Sequence, residues 1–268
     1  MLYYSNAKIN LGLNVIEKRN DGFHNIETVF YPIAVEDAME FVPSEKLELT
    51  SSGIEVDCEL EDNLIIKAYR LLKNDFDIIP ILRFHIHKTI PFGAGLGGGS
   101  ANAAYTLKAL NQFYKLNLSE DELLKYAKQL GSDCAFFIKN TAVYAEGKGD
   151  VFTNAQVDLS NYYILLIHPG FGVSTPEAYA NIKPEKPIKN CREVLENSVE
   201  TWKDDLINDF EWSVFQNYPL IEDLKNKLYK KKAVYAAMSG SGSAVFGVFK
   251  EKPLVDEFNE YWTWVGKL

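Results

Sequence analysis

The first residues that indicate chemistry lie at positions 91–101, which read PFGAGLGGGSA. Glycine occupies five of the seven positions from 93 to 99, and an alanine- and leucine-rich run follows directly. Because glycine loses more conformational entropy on folding than other residues, this glycine-rich segment must need bare backbone. The start of a helix presents free N–H groups and a positive dipole end, which together bind phosphate. A nucleotide-phosphate loop is therefore one interpretation, and a tight turn and a dinucleotide-binding loop are the two others.

The spacing of the glycines helps to separate these interpretations. Gly93, Gly95 and Gly98 satisfy the dinucleotide fingerprint G-x-G-x-x-G, but that motif requires a following strand with an acidic residue about 20 positions on. A second helical pattern begins at Ser119 instead, and a simple turn needs fewer glycines. No Gly-Lys-Ser/Thr sequence closes the segment, so it is not a Walker A motif. We predict a non-Walker phosphate loop, with the Ser100 hydroxyl near a phosphate or a magnesium ion.

Two charged residues have the chemistry that phosphoryl transfer to an alcohol requires. The reaction needs a group that orients or deprotonates the hydroxyl, and positive charge near the transferred phosphoryl. Asp133 follows Gly-Ser and precedes an apolar run, so it is a candidate for the first role. Lys8 lies on the polar side of an alternating strand and is a candidate for the second. Each also has a simpler explanation, a turn-capping carboxylate for Asp133 and an exposed strand-edge lysine for Lys8.

Two further groups of residues stand out, and both also have simple explanations. Phe23 and His24 follow an Asp-Gly turn, where an exposed hairpin tip would account for them. Residues 239–243 read SGSGS and lie between two β-type runs. This glycine-serine loop has more glycine and serine than a hairpin needs, so we expect its backbone to approach the same phosphates or to hold the first loop.

The patterns in the first half of the chain predict the elements that would position these residues. Alternation predicts strands at 8–16, 28–35, 39–42, 47–50 and 81–90. Helical spacing and capping residues predict helices at 63–74, with Asp62 or Asn63 as N-cap, at 100–113 and at 119–130. Residues 136–138 and 141–145 are predicted to be extended.

The second half begins after a polar, weakly patterned stretch at 151–160, which predicts two domains, 1–155 and 156–268. Beyond it we predict strands at 162–168, 233–238 and 244–249. Helices are predicted from Ser174, at 194–210, at 220–229 and at 254–264. Because strands and helices are mixed rather than strictly alternating, the order favours an α+β fold over a doubly wound sheet.

The composition excludes several classes of protein. The formal net charge of −9 makes the chain a poor binder of a nucleic-acid backbone. Three cysteines without C-x-x-C spacing fit a reducing compartment better than a disulfide framework. The first residues lack the pattern of a signal peptide, and the apolar run near 162–167 is too short to span a bilayer. We expect a cytoplasmic protein with small-molecule partners, without nucleic acid or membrane.

Three segments, in this order, resemble the signatures of the GHMP kinase superfamily: the strand at 8–15, the glycine-rich segment and the glycine-serine loop. The phrases AKINL (7–11), RxDGFH (19–24), DNLI (62–65) and GSD (131–133) extend the similarity over nearly the whole chain. AKINL, DGFH and GSD together are typical of the branch that phosphorylates 4-diphosphocytidyl-2-C-methyl-D-erythritol. The resemblance implies a ribosomal protein S5 domain 2-like N-terminal domain and a ferredoxin-like C-terminal domain.

The resemblance also implies roles for individual residues. Asp133 would be the base and Lys8 its partner; whether Asp133 removes the proton or only orients the hydroxyl stays open. The cytosine would lie between the rings of Phe23 and Tyr179, with His24 at its edge. The implied substrate-binding residues are Asn10, Phe23, His24, Asp133, Thr175 and Tyr179. The implied ATP-binding residues are Asn63, Leu64, Lys88, Pro91, Gly93, Gly95, Leu96, Gly97, Gly98, Gly99, Ser100 and Ala101.

The implied activity is ATP-dependent phosphorylation of the substrate's 2-hydroxyl in non-mevalonate isoprenoid biosynthesis. Mg²⁺ would be bound mainly through the ATP phosphates, and the protein would be a monomer or a weak homodimer. The alternatives are a mevalonate-pathway or homoserine kinase, which DGFH disfavours, and a non-catalytic nucleotide-binding protein, which the presence of both Lys8 and Asp133 disfavours. A nicotinamide oxidoreductase remains as a third class.

Overall fold

The computed structural model describes residues 1–55 and 58–268, which form two compact units that interleave along the chain. The first unit comprises 1–7, 35–92 and 97–141, and the second comprises 8–34, 93–96 and 142–268. Two long strands, β1 (Leu2–Lys18) and β2 (His24–Pro43), contribute residues to both units. The two domains predicted from the sequence, 1–155 and 156–268, are defined differently from these compact units, and their boundary stays a prediction.

The first unit combines two further strands with four helices. Strand β3 (Glu48–Gly53) runs parallel to β4 (Leu82–Lys88), and β4 pairs antiparallel with residues 38–43 of β2. The helices are α1 (Leu64–Asp75), α2 (Gly98–Tyr114), α3 (Glu120–Leu130) and α4 (Ser132–Lys139).

Local sequence explains where two of these helices begin. The Asn63 side chain accepts a hydrogen bond from the Ile65 N–H, and this confirms Asn63 as the N-cap of α1. Ser119 and Glu122 form the predicted capping box at the start of α3.

The second unit contains a four-stranded antiparallel sheet with the order β10-β7-β9-β8. Its strands are β7 (Tyr163–His168), β8 (Tyr235–Met238), β9 (Val245–Phe249) and β10 (Trp262–Lys267). Strand β5 (Val143–Glu146) pairs antiparallel with β6 (Val151–Asn154) and with residues 28–30 of β2. The helices are α5 (Thr175–Tyr179), α6 (Cys191–Leu195), α7 (Trp202–Asp205), α8 (Phe210–Asn217) and α9 (Pro219–Lys230).

Two predicted elements are wrong. Residues 136–138 are helical and belong to α4. The whole run from Cys134 to Ile138 is buried, so the sequence there lacks the helical periodicity that would have distinguished a helix from a strand. The C-terminal residues form a short 3-10 helix (Asp256–Phe258) and strand β10 instead of a helix over 254–264. There the backbone pairs with β7, and a sequence rich in aromatic residues suits a strand.

The long helix predicted at 194–210 is also not continuous. It is divided among α6, a 3-10 turn (Val199–Thr201) and α7, and α8 begins at Phe210. In the part of the chain that the structure describes, no helix has both the length and the apolar character needed to cross a bilayer.

Candidate active site

A cavity of about 200 Å³ lies beside the first turn of α2 in the first unit. Its volume and mostly apolar walls suit a flat aromatic group with a few polar contacts. Four of the predicted ATP-binding residues lie together on its wall, namely Asn63, Leu64, Lys88 and Gly99. Its other lining residues are Cys58, Asp62, Ile65, Ile86, Phe92 and Asn102.

The start of α2 offers bare backbone N–H groups to this cavity. The N-cap residue is Gly97, whose backbone is left-handed (φ +72°). Because glycine has no side chain, no N-cap side chain occupies the first N–H groups of the helix. The Ala101 N–H donates to the Gly97 carbonyl at 2.9 Å, whereas the N–H groups of residues 98–100 precede the first intrahelical bond. Ser100 and Ala101 lie in this same turn, so the residues predicted to bind phosphate lie at a helix N-terminus, and their phosphate-binding role stays a prediction.

Gly98 and Gly99 differ in whether protein packing explains the absence of a side chain. A Cβ at Gly98 would lie 2.9 Å from Lys88 Nζ and 3.0 Å from Ile90 Cγ2, so packing disfavours a side chain there. A Cβ at Gly99 would meet only Leu64 Cδ1, at 3.8 Å, and its backbone is helical. Protein packing therefore does not explain Gly99, whereas a ligand that approaches the backbone at the cavity wall would.

Lys88 is buried and paired with a carboxylate that the sequence analysis did not identify. Its ammonium hydrogen-bonds Asp37, which has no exposed surface. Asp37 also accepts from the N–H groups of Thr89 (2.8 Å) and Ile90 (2.9 Å) and from Asn102 Nδ2 (2.9 Å). Burial lowers the pKa of Lys88, and the charge of Asp37 opposes that shift. Asp37 thus fixes the end of β4, from which the chain continues through the buried Pro91 into the glycine-rich segment.

A signal for Asp37 is present in the sequence. Val35, Asp37, Met39 and Phe41 alternate along β2, and all four are buried. A carboxylate at a position where the pattern demands an apolar side chain must have buried partners. The same reasoning would have indicated a structural role for Lys88 in addition to the predicted role in ATP binding.

Asp133 lies in the first turn of α4, close to the start of α2. Ser100 lies close enough to the Cys134 thiol, which directly follows Asp133, to offset part of the effect of burial on the pKa of that thiol, so the two helix starts are neighbours within the first unit. Burial raises the pKa of the Cys134 thiol to about 11, and this thiol is therefore not a nucleophile at neutral pH. Asp133 and the predicted phosphate cradle thus belong to one local arrangement.

Lys8 lies in the second unit and is buried, with 3% of its surface exposed, so the explanation of an exposed edge lysine is wrong. Its ammonium donates to Asn10 Oδ1 at 2.6 Å and to the Gly95 carbonyl at 3.0 Å. The Lys8 N–H also donates to the Leu96 carbonyl at 3.0 Å. Asn10 is oriented in turn by Thr28, whose Oγ1 accepts from Asn10 Nδ2 at 2.9 Å. The lysine therefore lies directly against residues 95–96 of the glycine-rich segment.

The glycine-serine loop contacts the same residues. Ser239 Oγ donates to the Gly95 carbonyl at 2.9 Å, and the Ala244 N–H donates to the Ala94 carbonyl at 3.1 Å. A Cβ at Gly95 would lie 1.9 Å from the Ser239 carbonyl oxygen, and one at Gly93 would lie 3.3 Å from the Cα of Gly172. The expectation that the second loop holds the first is confirmed for residues 94 and 95.

Two of the predicted substrate-binding residues, His24 and Tyr179, contact each other in this unit. His24 and Tyr179 stack with ring centroids 4.5 Å apart and an interplanar angle of 13°. Burial and the nearby Lys18 lower the pKa of His24, so the imidazole is neutral at neutral pH. The Phe23 ring lies beneath the Lys148 ammonium at 4.7 Å and is largely exposed.

Some predicted neighbours are not brought together by these contacts. The described contacts of Phe23 and Tyr179 are with other residues, and the cytosine sandwich stays a prediction. Thr175 is exposed at the start of α5, with its hydroxyl 3.4 Å from that of Ser241. Lys8 belongs to the second unit and Asp133 to the first, so their pairing also stays a prediction.

Comparison with known proteins now adds to this geometry. The model of the GHMP kinases N terminal domain matches residues 63–141, and that of the GHMP kinases C terminal domain matches residues 189–265. A Parabacteroides distasonis protein named 4-diphosphocytidyl-2-C-methyl-D-erythritol kinase is 49% identical over the full length of both chains.

Solved structures agree with the family models. A crystal structure of 4-(cytidine 5'-diphospho)-2C-methyl-D-erythritol kinase matches with a TM-score of 0.84 at 28% identity, over 99% of this chain and 98% of that one. The Methanococcus jannaschii mevalonate kinase matches with a TM-score of 0.69 at 15% identity, over 99% of this chain and 96% of that one, and thus shows the fold alone. These matches confirm the predicted two-domain α+β fold, and the chain belongs to the GHMP kinase family.

Proposed function

We propose that this chain transfers the γ-phosphoryl group of ATP to the 2-hydroxyl of 4-diphosphocytidyl-2-C-methyl-D-erythritol, giving the 2-phosphate and ADP. The observation that carries the proposal is the cavity beside the uncapped start of α2, where Gly99 leaves backbone bare without a packing reason. GHMP kinases use ATP. The substrate follows from the relatives, which carry the name of that kinase over the full length of the chain.

The nucleotide would bind mainly to the first unit. We infer that its base occupies the cavity beside Asn63 and Leu64 and that its phosphates extend over the N–H groups of residues 97–100. The helix dipole favours the negative charge, and the amides require no reorganisation during transfer. Residues 93–96 continue this backbone towards Lys8.

The acceptor hydroxyl requires a group that aligns it and a cation that stabilises the transferred phosphoryl. We assign the first role to Asp133, whose helix begins beside Ser100. We assign the second to Lys8, because its ammonium is held against the Gly95 carbonyl. Direct in-line transfer needs no phospho-enzyme, so positioning and charge stabilisation carry the catalysis.

Mg²⁺ fits this arrangement as an ion bound mainly to the ATP phosphates. Within residues 1–55 and 58–268, no group of three or more His, Cys, Asp or Glu side chains is arranged to hold a metal. Ser100 offers a hydroxyl at the start of α2, where it would add one ligand. When bound, the ion would neutralise phosphate charge.

The proposal is tested by ADP release when the purified protein receives ATP, Mg²⁺ and the cytidine-diphosphate substrate. Free 2-C-methyl-D-erythritol 4-phosphate, mevalonate and homoserine serve as control acceptors. We expect rapid ADP release with the cytidine-diphosphate substrate and not with any of the three control acceptors. Release with mevalonate or homoserine, and none with the cytidine compound, would contradict the proposal.

An Asp133→Asn variant tests the assignment of that residue. We expect it to bind ATP as the parent protein does and to lose most of its turnover. Unchanged turnover would remove Asp133 from the proposed role, whether as a base or as an orienting group.

A further inference from the structure

Asn208 lies in a segment whose backbone is bound to strand β1 within the second unit. The Leu13 N–H donates to the Ile207 carbonyl at 2.8 Å, and the Asp209 N–H donates to the Leu13 carbonyl at 2.8 Å. The Asp209 carboxylate accepts from the Val15 N–H at 2.7 Å. The segment is therefore fixed to the strand that carries the proposed catalytic lysine.

The side chain of Asn208 is buried and uses each polar atom on backbone groups. Its Nδ2 donates to the Met238 carbonyl at 2.8 Å and to the Gly240 carbonyl at 2.9 Å. Its Oδ1 accepts from the Phe210 N–H at 3.0 Å. Only 2% of the residue is exposed, so water cannot replace these bonds when they are removed. Asn208 thus joins the β1-bound segment to both sides of Ser239.

Ser239 passes this constraint to the phosphate loop. Its hydroxyl donates to the Gly95 carbonyl at 2.9 Å and accepts from the Asn10 N–H at 3.3 Å. The Gly95 carbonyl also accepts from Lys8 Nζ at 3.0 Å. A shift of the Met238–Gly240 backbone would therefore change the position of the ammonium relative to the loop.

Glu211 constrains the other side of the same turn. Its Oε1 accepts from the Met238 N–H at 2.8 Å, and its Oε2 contacts Lys225 Nζ at 2.5 Å. The Met238 N–H donates to Glu211 and the Met238 carbonyl accepts from Asn208. Because Glu211 would still hold the N–H, Met238 cannot easily move when the Asn208 bond is lost. Removal of the Asn208 bonds should therefore move the Gly240 side of the turn most.

We propose that Asn208 is a positioning residue for phosphoryl transfer, which acts through the Ser239 turn on Lys8 and Gly95. The inference rests on the proposed function of Lys8, and Asn208 itself contacts none of the reacting groups. The competing explanation is that Asn208 only stabilises the fold. A structural role would lower stability and leave the chemical step of the folded enzyme unchanged.

The kinetic test compares Asn208→Ala and Asn208→Asp with matched changes at Asn111. Asn111 also uses its amide on backbone groups, donating to the Leu118 carbonyl and accepting from the Leu118 N–H, each at 3.0 Å. For the Asn208 variants we expect kcat per folded molecule to fall roughly 10- to 100-fold, since a displacement of about 1 Å can cost as much. The KM for the cytidine substrate should change less than kcat, because the main displacement is that of the Lys8 ammonium relative to the Gly95 carbonyl. Unchanged kcat in both Asn208 variants, or an equal loss in the Asn111 variants, would overturn the proposal.

A double-mutant cycle tests whether the effect passes through Lys8. In a Lys8→Ala background, Asn208→Ala should reduce kcat much less than it does in the parent protein. The same fold-loss in both backgrounds would exclude action through Lys8.

Hydrogen exchange of the proteins without substrates separates this inference from the proposed function. The amides of Ser239, Gly242 and Ala244 are bonded in or next to the turn, and they should exchange faster in Asn208→Ala than in Asn111→Ala. Equal exchange would show that Asn208 does not hold the loop, whatever the substrate. If the parent protein phosphorylates a different alcohol, the proposed function fails, and the kinetic comparison is made with that alcohol.

Discussion

Replacement of Asp37 by asparagine should remove the charge that the buried Lys88 requires. Asp37 has no exposed surface and accepts from Lys88, from the N–H groups of Thr89 and Ile90, and from Asn102. Lys88 is only 4% exposed, so its ammonium would remain buried without a partner of opposite charge. Loss of one member of a buried ion pair costs about 3–5 kcal/mol, and we expect the free energy of unfolding to fall by that amount.

The assay is chemical denaturation at pH 7 with two comparison proteins. Asp205→Asn removes the exposed Lys189–Asp205 pair, whose side chains are 56% and 45% exposed, and should cost no more than about 1 kcal/mol. The double variant Asp37→Asn/Lys88→Met removes both buried charges and should recover most of the stability that the single variant loses. A single variant as stable as the Asp205→Asn control would refute the reasoning.

The dependence on pH gives a second check of the same argument. Burial already lowers the pKa of Lys88, and loss of the opposing Asp37 charge should lower it further. Between this depressed pKa and the unfolded value of about 10.4, the unfolded chain binds more protons, so stability rises with pH across that window. The deficit of Asp37→Asn should therefore shrink as the pH rises from the Lys88 pKa of the variant to that of the parent, and a deficit independent of pH would contradict the assignment.

Three further predictions concern the residues proposed to bind ATP and the cytidine substrate. In the native protein, Cys58 should react with a thiol reagent and the buried Cys134 and Cys191 should not, and ATP should slow the reaction because Cys58 lines the cavity; equal rates with and without ATP would contradict the nucleotide site. Gly99→Ala should leave the free energy of unfolding unchanged or raise it by up to about 1 kcal/mol, because the new Cβ meets no close atom. The same change should raise the KM for ATP about tenfold. An unchanged KM would remove Gly99 from the phosphate site. Burial and the nearby Lys18 lower the pKa of His24, so the midpoint of its protonation should lie below the ordinary value of about 6.5, and protonation should raise the KM for the cytidine substrate. His24→Gln should lose this pH dependence, and a variant that keeps it would exclude His24 as its cause.

The elements with strong local signals could be predicted from the sequence. Asn63 and the Ser119 capping box mark helix starts, and both are where the sequence places them. The glycine-rich segment indicated a phosphate cradle because five glycines before a helix have few other physical reasons. The C-terminal strand could not be predicted in the same way, since its backbone pairs with β7, far away in sequence.

The buried polar contacts of the site were beyond local patterns. Lys8 alternates with apolar residues in a way that an exposed edge lysine would also satisfy, and only tertiary packing shows that it is buried. Asp37 could have been recognised from its place among Val35, Met39 and Phe41, but its partner Lys88 is 51 residues away. Asn208 carried no motif, because its partners are backbone groups.

A structure of the protein with a non-hydrolysable ATP analogue and the cytidine substrate tests the central claim most directly. We predict the adenine in the cavity beside Asn63 and Leu64, and the terminal phosphate within hydrogen-bond distance of the amides of residues 97–100 and close to the Lys8 and Asp133 side chains. A nucleotide bound elsewhere, or a terminal phosphate remote from both side chains, would contradict the account.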